Sequence, residues 1–237
     1  MTSVFRASGV SVSFGGVRAL VGVDLEIEAG ELVGLIGPNG AGKTTFIDAV
    51  TGFVRYAGEV ELDGAKLDGL PPHARSRRGL ARTWQTVELF DDLTVRENLT
   101  VAAKGGSAAS VDGELELLDL KAAAEAMPWE LSQAERKRAG IARALVARPR
   151  LLCLDEPAAG LDVRQSAELG KLLPNIAGKD TSVLLVDHDM GLVLNTCTRV
   201  VVLDSGSIIA QGPPAQIRGD ERVVAAYLGH SATGAAS

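Results

Sequence analysis

Residues 37–45 read GPNGAGKTT, three glycines leading into a lysine and two threonines. Gly37, Gly40 and Gly42 lack a Cβ, so backbone N–H groups can turn towards one point and approach an anion closely. Pro38, Asn39 and Ala41 complete the loop, and a helix starting near Lys43 adds its positive N-terminal end. This is the chemistry of a phosphate cradle. Lys43 reaches the terminal phosphates, the Thr44 hydroxyl is placed to ligate Mg²⁺, and Thr45 follows in the same turn. The preceding run ELVGLIG (31–37) is nearly continuous in apolar residues, as a strand buried on both faces would be.

A second apolar run, RLLCLDE (150–156), ends in two acids. With a phosphate cradle upstream, Asp155 is the candidate to hold Mg²⁺ and Glu156 the candidate general base, polarising water against a γ-phosphate. His188 ends the next apolar strand, in LLVDHDM, and is assigned a γ-phosphate role. Gln85 follows a short strand in ARTWQTVELF, and its amide is a candidate ligand for Mg²⁺ or water.

Several further runs must position these groups. VSVSF (10–14), VDLEIE (23–28) and VEL (60–62) alternate as strands do, and TSVLLVDHD (181–189) is another buried strand. TRVVVLDSGSIIAQG (198–212) reads as a hairpin turning at 204–206. Residues from about 94 to 147 look helical, with a Gly/Ser/Ala-rich link at 105–110, and read as a small helical subdomain inserted into an α/β core. A short helix over 213–229 and a frayed tail over 230–237 close a single domain of residues 1–229.

Composition limits the rest. The 237 residues suffice for a sizeable core, and a net charge of −6 argues against a nucleic-acid partner held by bulk electrostatics. The basic run Arg75, Arg77, Arg78 and Arg82 reads as a solvated face. Cys153 and Cys197 make no disulfide framework, and Cys153 lies in an apolar run, which fits a reducing cytoplasm. No signal-peptide h-region is seen at the N-terminus, and no apolar run approaches the ~18 residues of a membrane span. A membrane role is therefore expected to go through a partner.

In their order along the chain, the phosphate loop, Gln85, LSQAE (131–135), LLCLDEP, AGLD and His188 resemble the ATP-binding subunits of ABC transporters. GKTTFIDAVTGF, GLARTWQTVELFDDLTVRENLTVAA, DEPAAGLD, LLVDHDMGLV and AAYLGH are similar to the branched-chain amino-acid importer type, a subset that includes lipopolysaccharide-export ATPases. The resemblance implies a mixed sheet with an N-terminal antiparallel β part, ATP hydrolysis with Mg²⁺, and an adenine-stacking role for Phe14. It also implies that Asp162 contacts a second ATP-binding subunit, identical or different. The further partners implied are membrane permease subunits and an extracytoplasmic solute-binding protein, with the chain peripheral on the inner face of the membrane. A soluble ABC-type ATPase acting on DNA or ribosomes usually carries a long coiled-coil insertion or two cassettes, and the sequence has neither.

Two departures stand out. The stretch between Phe90 and Leu131 is shorter than this subset usually carries. The family's signature, normally Leu-Ser-Gly-Gly-Gln, here reads LSQAE. In an ABC dimer this loop closes over the other subunit's ATP, so Gln133 and Ala134 are expected to add side chains at the closest approach. Glu135 brings a carboxylate, which ~6 Å from a phosphate costs roughly 3 kcal/mol per charge at an effective dielectric near 20. Arg136, Lys137 and Arg138 are expected to reduce that. Ser132-x-x-Glu135 is also a capping box, so Ser132 Oγ is wanted both by the helix and by ATP. A weakened signature follows, and with it an alternative reading as a weakly hydrolysing, asymmetric partner.

Overall fold

A computed structural model describes residues 3–86, 89–103, 108–178 and 180–233. Two sheets carry the fold. A four-stranded antiparallel sheet has the order β2-β1-β4-β5, from β1 (Ser3–Phe14), β2 (Val17–Glu28), β4 (Ala57–Leu62) and β5 (Ala65–Lys66). A six-stranded mixed sheet runs β10-β9-β3-β8-β7-β6. Its strands are β3 (Leu32–Ile36), β6 (Leu80–Arg82), β7 (Leu151–Asp155), β8 (Ser182–Val186), β9 (Arg199–Asp204) and β10 (Ser207–Gly212). The α/β class, the mixed sheet and the N-terminal antiparallel part are as expected.

Period-two alternation divides each central strand between two cores. Val33, Leu35, Cys153, Leu184, Val186, Val201 and Leu203 face the antiparallel sheet and helix α1 (Lys43–Thr51). Leu32, Ile36, Leu152, Leu154, Val183, Leu185, Val200 and Val202 face the helices on the other side. Every residue of β3, β7 and β8 is buried, which explains their unbroken apolar character. Helix α1 lies between the two sheets, burying Phe46, Ile47, Ala49 and Val50.

The stretch after β6 supplies α3 (Val95–Ala102), α4 (Ala108–Leu117) and α5 (Gln133–Leu145), with two short 3₁₀ turns before α5. Leu99, Leu115, Leu118 and Ile141 join the core that covers β7 and β8, together with α6 (Val163–Ile176) and α7 (Met190–Thr196). Helix α8 (Pro214–Gly219) leads into α9 (Glu221–Thr233), so the helix runs past residue 229 into the stretch expected to fray. Residues 104–107 of the expected link, and 234–237 of the expected tail, lie outside the described residues.

The β9–β10 hairpin turns through Ser205 and Gly206, both at positive φ (46° and 80°), the two-residue turn that matches strand twist. Strand β1 is longer than its alternating half suggested. Gly9, at φ 62°, sits at a register shift between Ala7 and Val10, and this bulge resets the alternation. Cys153 and Cys197 are buried free thiols, and burial pushes both up to about 12.

The basic run is not a solvated face. Arg77 and Arg78 are exposed, but Arg75, on α2 (Pro72–Arg77), is buried and caps α1, donating to the Val50 and Ala49 carbonyls at 2.7 and 3.2 Å. Arg82 is buried between carboxylates. A cation that finds oxygen partners in the fold does not need water.

Candidate functional site

The glycine loop joins β3 to α1, so the C-terminal end of a central strand presents it. A Cβ on Gly37 would run into the Leu203 carbonyl, and one on Gly42 would lie 2.7 Å from the Ala19 carbonyl. Those two glycines seat the loop on its neighbours. Gly40, at φ 81° with open space where a Cβ would point, is the one on the free side. Pro38 and Ala41 are tied by an Ala41 N–H to Pro38 carbonyl bond of 3.1 Å, and Gly206 donates to Ala41 at 3.0 Å. Asn39 lies between them, and Thr44 and Thr45 follow Lys43 in the first turn of α1.

Lys43 is buried and bends back across the loop, its Nζ donating to the Gly37 and Pro38 carbonyls at 2.7 and 3.1 Å. Burial pushes its ammonium below the ordinary value, while Glu156, Asp155 and Asp187 pull it back up. Asp155 ends β7 and Asp187 follows β8, and these strands are paired neighbours. The acids and the lysine therefore meet beyond the C-terminal ends of these central strands.

Glu156 holds a positive φ of 47°, uncommon for a residue with a Cβ and a form of strain often found at functional sites. Its N–H donates to Val186 at 2.7 Å, and its Oε2 accepts from Gln85 Nε2 at 2.7 Å. His188 Nδ1 lies 3.8 Å from the same oxygen and 3.7 Å from Asp187 Oδ1. Asp187, fully buried, accepts from the Ala158 and Asp189 N–H groups and fixes the loop after Glu156 to the loop that carries His188. Lys43, Gln85, Asp155, Glu156 and His188 thus form one cluster around the glycine loop.

The donor set suits a small hard cation. One buried carboxylate (Asp155), the Thr44 hydroxyl and the Gln85 amide each offer a hard oxygen donor. Mg²⁺ is usually held by one or two such groups plus phosphate oxygens.

Ser132 and Asp162 are engaged at helix starts. Ser132 caps α5, its Oγ accepting from the Glu135 N–H at 3.3 Å and bonding the Glu135 carboxylate at 2.6 Å. These bonds from Ser132 hold the Glu135 carboxyl below its usual range, so the negative charge stays at the helix start. Asp162 caps α6 through a 2.8 Å bond from the Gln165 N–H. Gln133 turns towards its own chain: its amide occupies the space a Cβ on Gly160 would need. The side chain expected at the closest approach to ATP thus packs on the loop that leads to Asp162.

Two cations of the site escaped sequence reading. Lys137, expected to offset Glu135, is buried and donates instead to the Gln85 carbonyl at 2.8 Å. It lies in line with Ile141 and Leu145 on the buried face of α5, and that spacing was the available signal. Arg82 donates to Asp155 Oδ2 at 2.7 Å and also pairs with Asp48.

An ABC transporter model matches residues 20–159, which covers the glycine loop and the paired acids. The chain belongs to the ABC transporter ATP-binding family. It is 37% identical to BraF of Pseudomonas aeruginosa, a high-affinity branched-chain amino acid transport ATP-binding protein, and 38% to LivG of Escherichia coli K12, of the same description. Each comparison covers 96% of this chain and 98% of the relative. LptB of Haemophilus influenzae, a lipopolysaccharide export ATP-binding protein, is 34% identical over the same shares. A second model, the branched-chain amino acid ATP-binding cassette transporter type, matches residues 207–233.

Among solved structures, a nucleotide-free ATP-binding cassette of an ABC transporter superposes with a TM-score of 0.86 at 27% identity, covering 95% of this chain and 99% of that one. A cassette in its ADP conformation gives 0.87 at 27% identity, covering 97% and 100%. This ABC protein is therefore an ATPase that binds nucleotide and serves as the ATP-binding subunit of a transporter. The alignments to BraF and LivG run over 251 positions, more than the 237 residues present, so they contain gaps opposite segments of the relatives.

Phe14 ends β1 and is 51% exposed. If it stacks on adenine, Phe14→Ala should weaken ATP and ADP binding alike, by about 1–2 kcal/mol, because stacking ignores the γ-phosphate. Equal nucleotide titrations for the two proteins would reject the role.

Proposed function

We propose that this ATPase energises a membrane importer for branched-chain amino acids or a related small solute. The observation carrying this reading is the cluster of Lys43, Gln85, Asp155, Glu156 and His188 around the glycine loop. Support for the substrate class comes from relatives described as branched-chain amino acid transport ATP-binding proteins. The LptB relatives make lipid export the competing destination.

Residues 1–229 act as one ATP-binding domain, with the helical stretch 94–147 as its subdomain. The loop 37–45 holds the phosphates through its N–H groups and Lys43, and Phe14 stacks on adenine. Thr44, Gln85 and Asp155 would hold Mg²⁺, which supplies charge neutralisation at the phosphate oxygens. Glu156 accepts a proton from the attacking water, Gln85 orients that carboxylate, and His188 faces the γ-phosphate. Ser132 and Asp162 serve the subunit interface of an ATP-closed dimer, whose second member is identical or different.

The permease docks in a groove of about 560 Å³ that includes Phe53, Pro72, Trp84, Thr86, Ala102 and Arg143. Phe53 and Trp84, rings half exposed and 5.0 Å apart edge-to-face, give it the aromatic character of an interface. On this reading the chain sits peripherally on the cytoplasmic face, held there by the permease; no helix among the described residues is long and apolar enough to cross a membrane. An extracytoplasmic solute-binding protein completes the importer, and nucleic acid has no part. Co-purification with the native membrane subunits, followed by ATPase assay with candidate solutes, tests this. Stimulation by leucine-like amino acids supports import, whereas stimulation only by lipid would replace it.

One observation favours a slow-hydrolysis variant of this reading: Ser132 Oγ is already bonded within the capping box. The double change Ala134→Gly with Glu135→Gln is expected to raise turnover of the isolated dimer while costing about 0.5–1 kcal/mol of helix capping. Steady-state phosphate release at saturating Mg-ATP measures it. Brisk wild-type turnover, unimproved by the change, would end the weak-signature idea.

A further inference from the structure

The Arg82 guanidinium touches three groups. Its Nη2 donates to Asp155 Oδ2 at 2.7 Å, its Nη1 pairs with Asp48 on α1, and its plane lies over the Trp84 indole, 4.1 Å from the ring centroid. The Arg82 side chain is only 6% exposed, yet its Nε has no hydrogen-bond partner. Arg82 also lines the groove that holds Trp84 and Phe53, so one side chain belongs both to the Asp155 carboxylate and to the groove wall.

Two effects of this contact on Asp155 oppose each other. The hydrogen bond orients the carboxylate, which favours any cation taken by its other oxygen. The guanidinium charge repels that cation from a few ångströms away, in a setting where screening by water is poor. A divalent ion doubles the repulsion, whereas orienting one short, already buried carboxylate gains little. Repulsion wins.

Resting on the proposed nucleotide and Mg²⁺ site, we propose that Arg82 is a positioning residue that restrains the divalent-cation affinity of Asp155. Asp48 shares the guanidinium and so moderates the restraint. Trp84 packs on its face, so that this affinity answers to the state of the aromatic groove.

The test uses the full chain with a non-hydrolysable ATP analogue, and Mn²⁺ as a probe whose free fraction is read by electron paramagnetic resonance. Arg82→Gln should tighten Mn²⁺ binding at least tenfold, while Arg82→Lys, which keeps the charge, should stay within about threefold of wild type. The gain should vanish when Asp155→Asn is added. Asp48→Asn leaves Arg82 in place and gives its charge wholly to Asp155, so it should weaken Mn²⁺ binding severalfold. This variant decides the matter if Arg82→Gln does not fold. Trp84→Ala should shift the affinity in wild type, but not once Arg82 is glutamine. Unchanged or weaker Mn²⁺ binding in folded Arg82→Gln, a gain that survives Asp155→Asn, or tighter binding in Asp48→Asn would overturn the proposal. Titration of a fluorescent ATP analogue in EDTA checks the underlying site separately: if wild type fails to bind it, the site reading fails, not the restraint alone.

Discussion

Turnover should fall by roughly 10²–10⁴-fold in Glu156→Gln, the range a positioned general base contributes, while ATP still binds. The substitution is nearly isosteric. Its side-chain oxygen can still accept the 2.7 Å bond that Gln85 Nε2 gives Glu156 Oε2, so the local geometry is kept and only basicity is lost. The backbone at φ 47° is equally strained for either residue. Phosphate release and nucleotide titration on the same preparation separate the two effects. Near-normal release would remove Glu156 from the role of base.

Lys43→Ala should do the opposite and strike at binding. The Nζ now spends its hydrogen bonds on the Gly37 and Pro38 carbonyls, and phosphate oxygens would replace these neutral acceptors with charged ones. A hydrogen bond to a charged group contributes about 1.5–3 kcal/mol, so affinity should drop roughly ten- to a hundredfold. The loss should be larger for ATP than for adenosine, because the lysine meets only the phosphates. Calorimetric titration with both ligands measures this, and equal losses would point to a collapsed loop instead.

Much of this site could be read from local pattern because its parts are local. A glycine loop between a buried strand and a helix, or two acids at the end of an apolar run, carries its own context. Local reading failed for some side chains whose partners lie across the fold. Arg82 looked like one of several surface cations, yet Asp48 and Asp155 reach it from elements far apart in the chain. Gln133 looked poised against a partner's ATP, yet Gly160 offers it a berth that no pattern within 131–145 reveals. Strand β1 was underestimated for a different reason. The bulge at Gly9 places Phe5 and Ala7, both buried, out of step with Val10 and Val12.

The order of strands in the mixed sheet has a consequence for how the chain comes off the ribosome. Strand β3, which delivers the glycine loop, pairs with β8 on one side and β9 on the other, and both lie in the last quarter of the chain. Synthesis proceeds from the N-terminus, so both hydrogen-bonding edges of this apolar strand emerge long before either partner exists. Non-local parallel pairing of this kind is slow, and an unpaired edge invites other chains. The segment that forms the phosphate loop is thus made early but gains its seat last, when the Leu203 carbonyl and the Gly206 N–H arrive beneath it. A nascent chain cut short before β8 holds the whole glycine motif but lacks both strand partners and the seat at Leu203 and Gly206 that complete its shape.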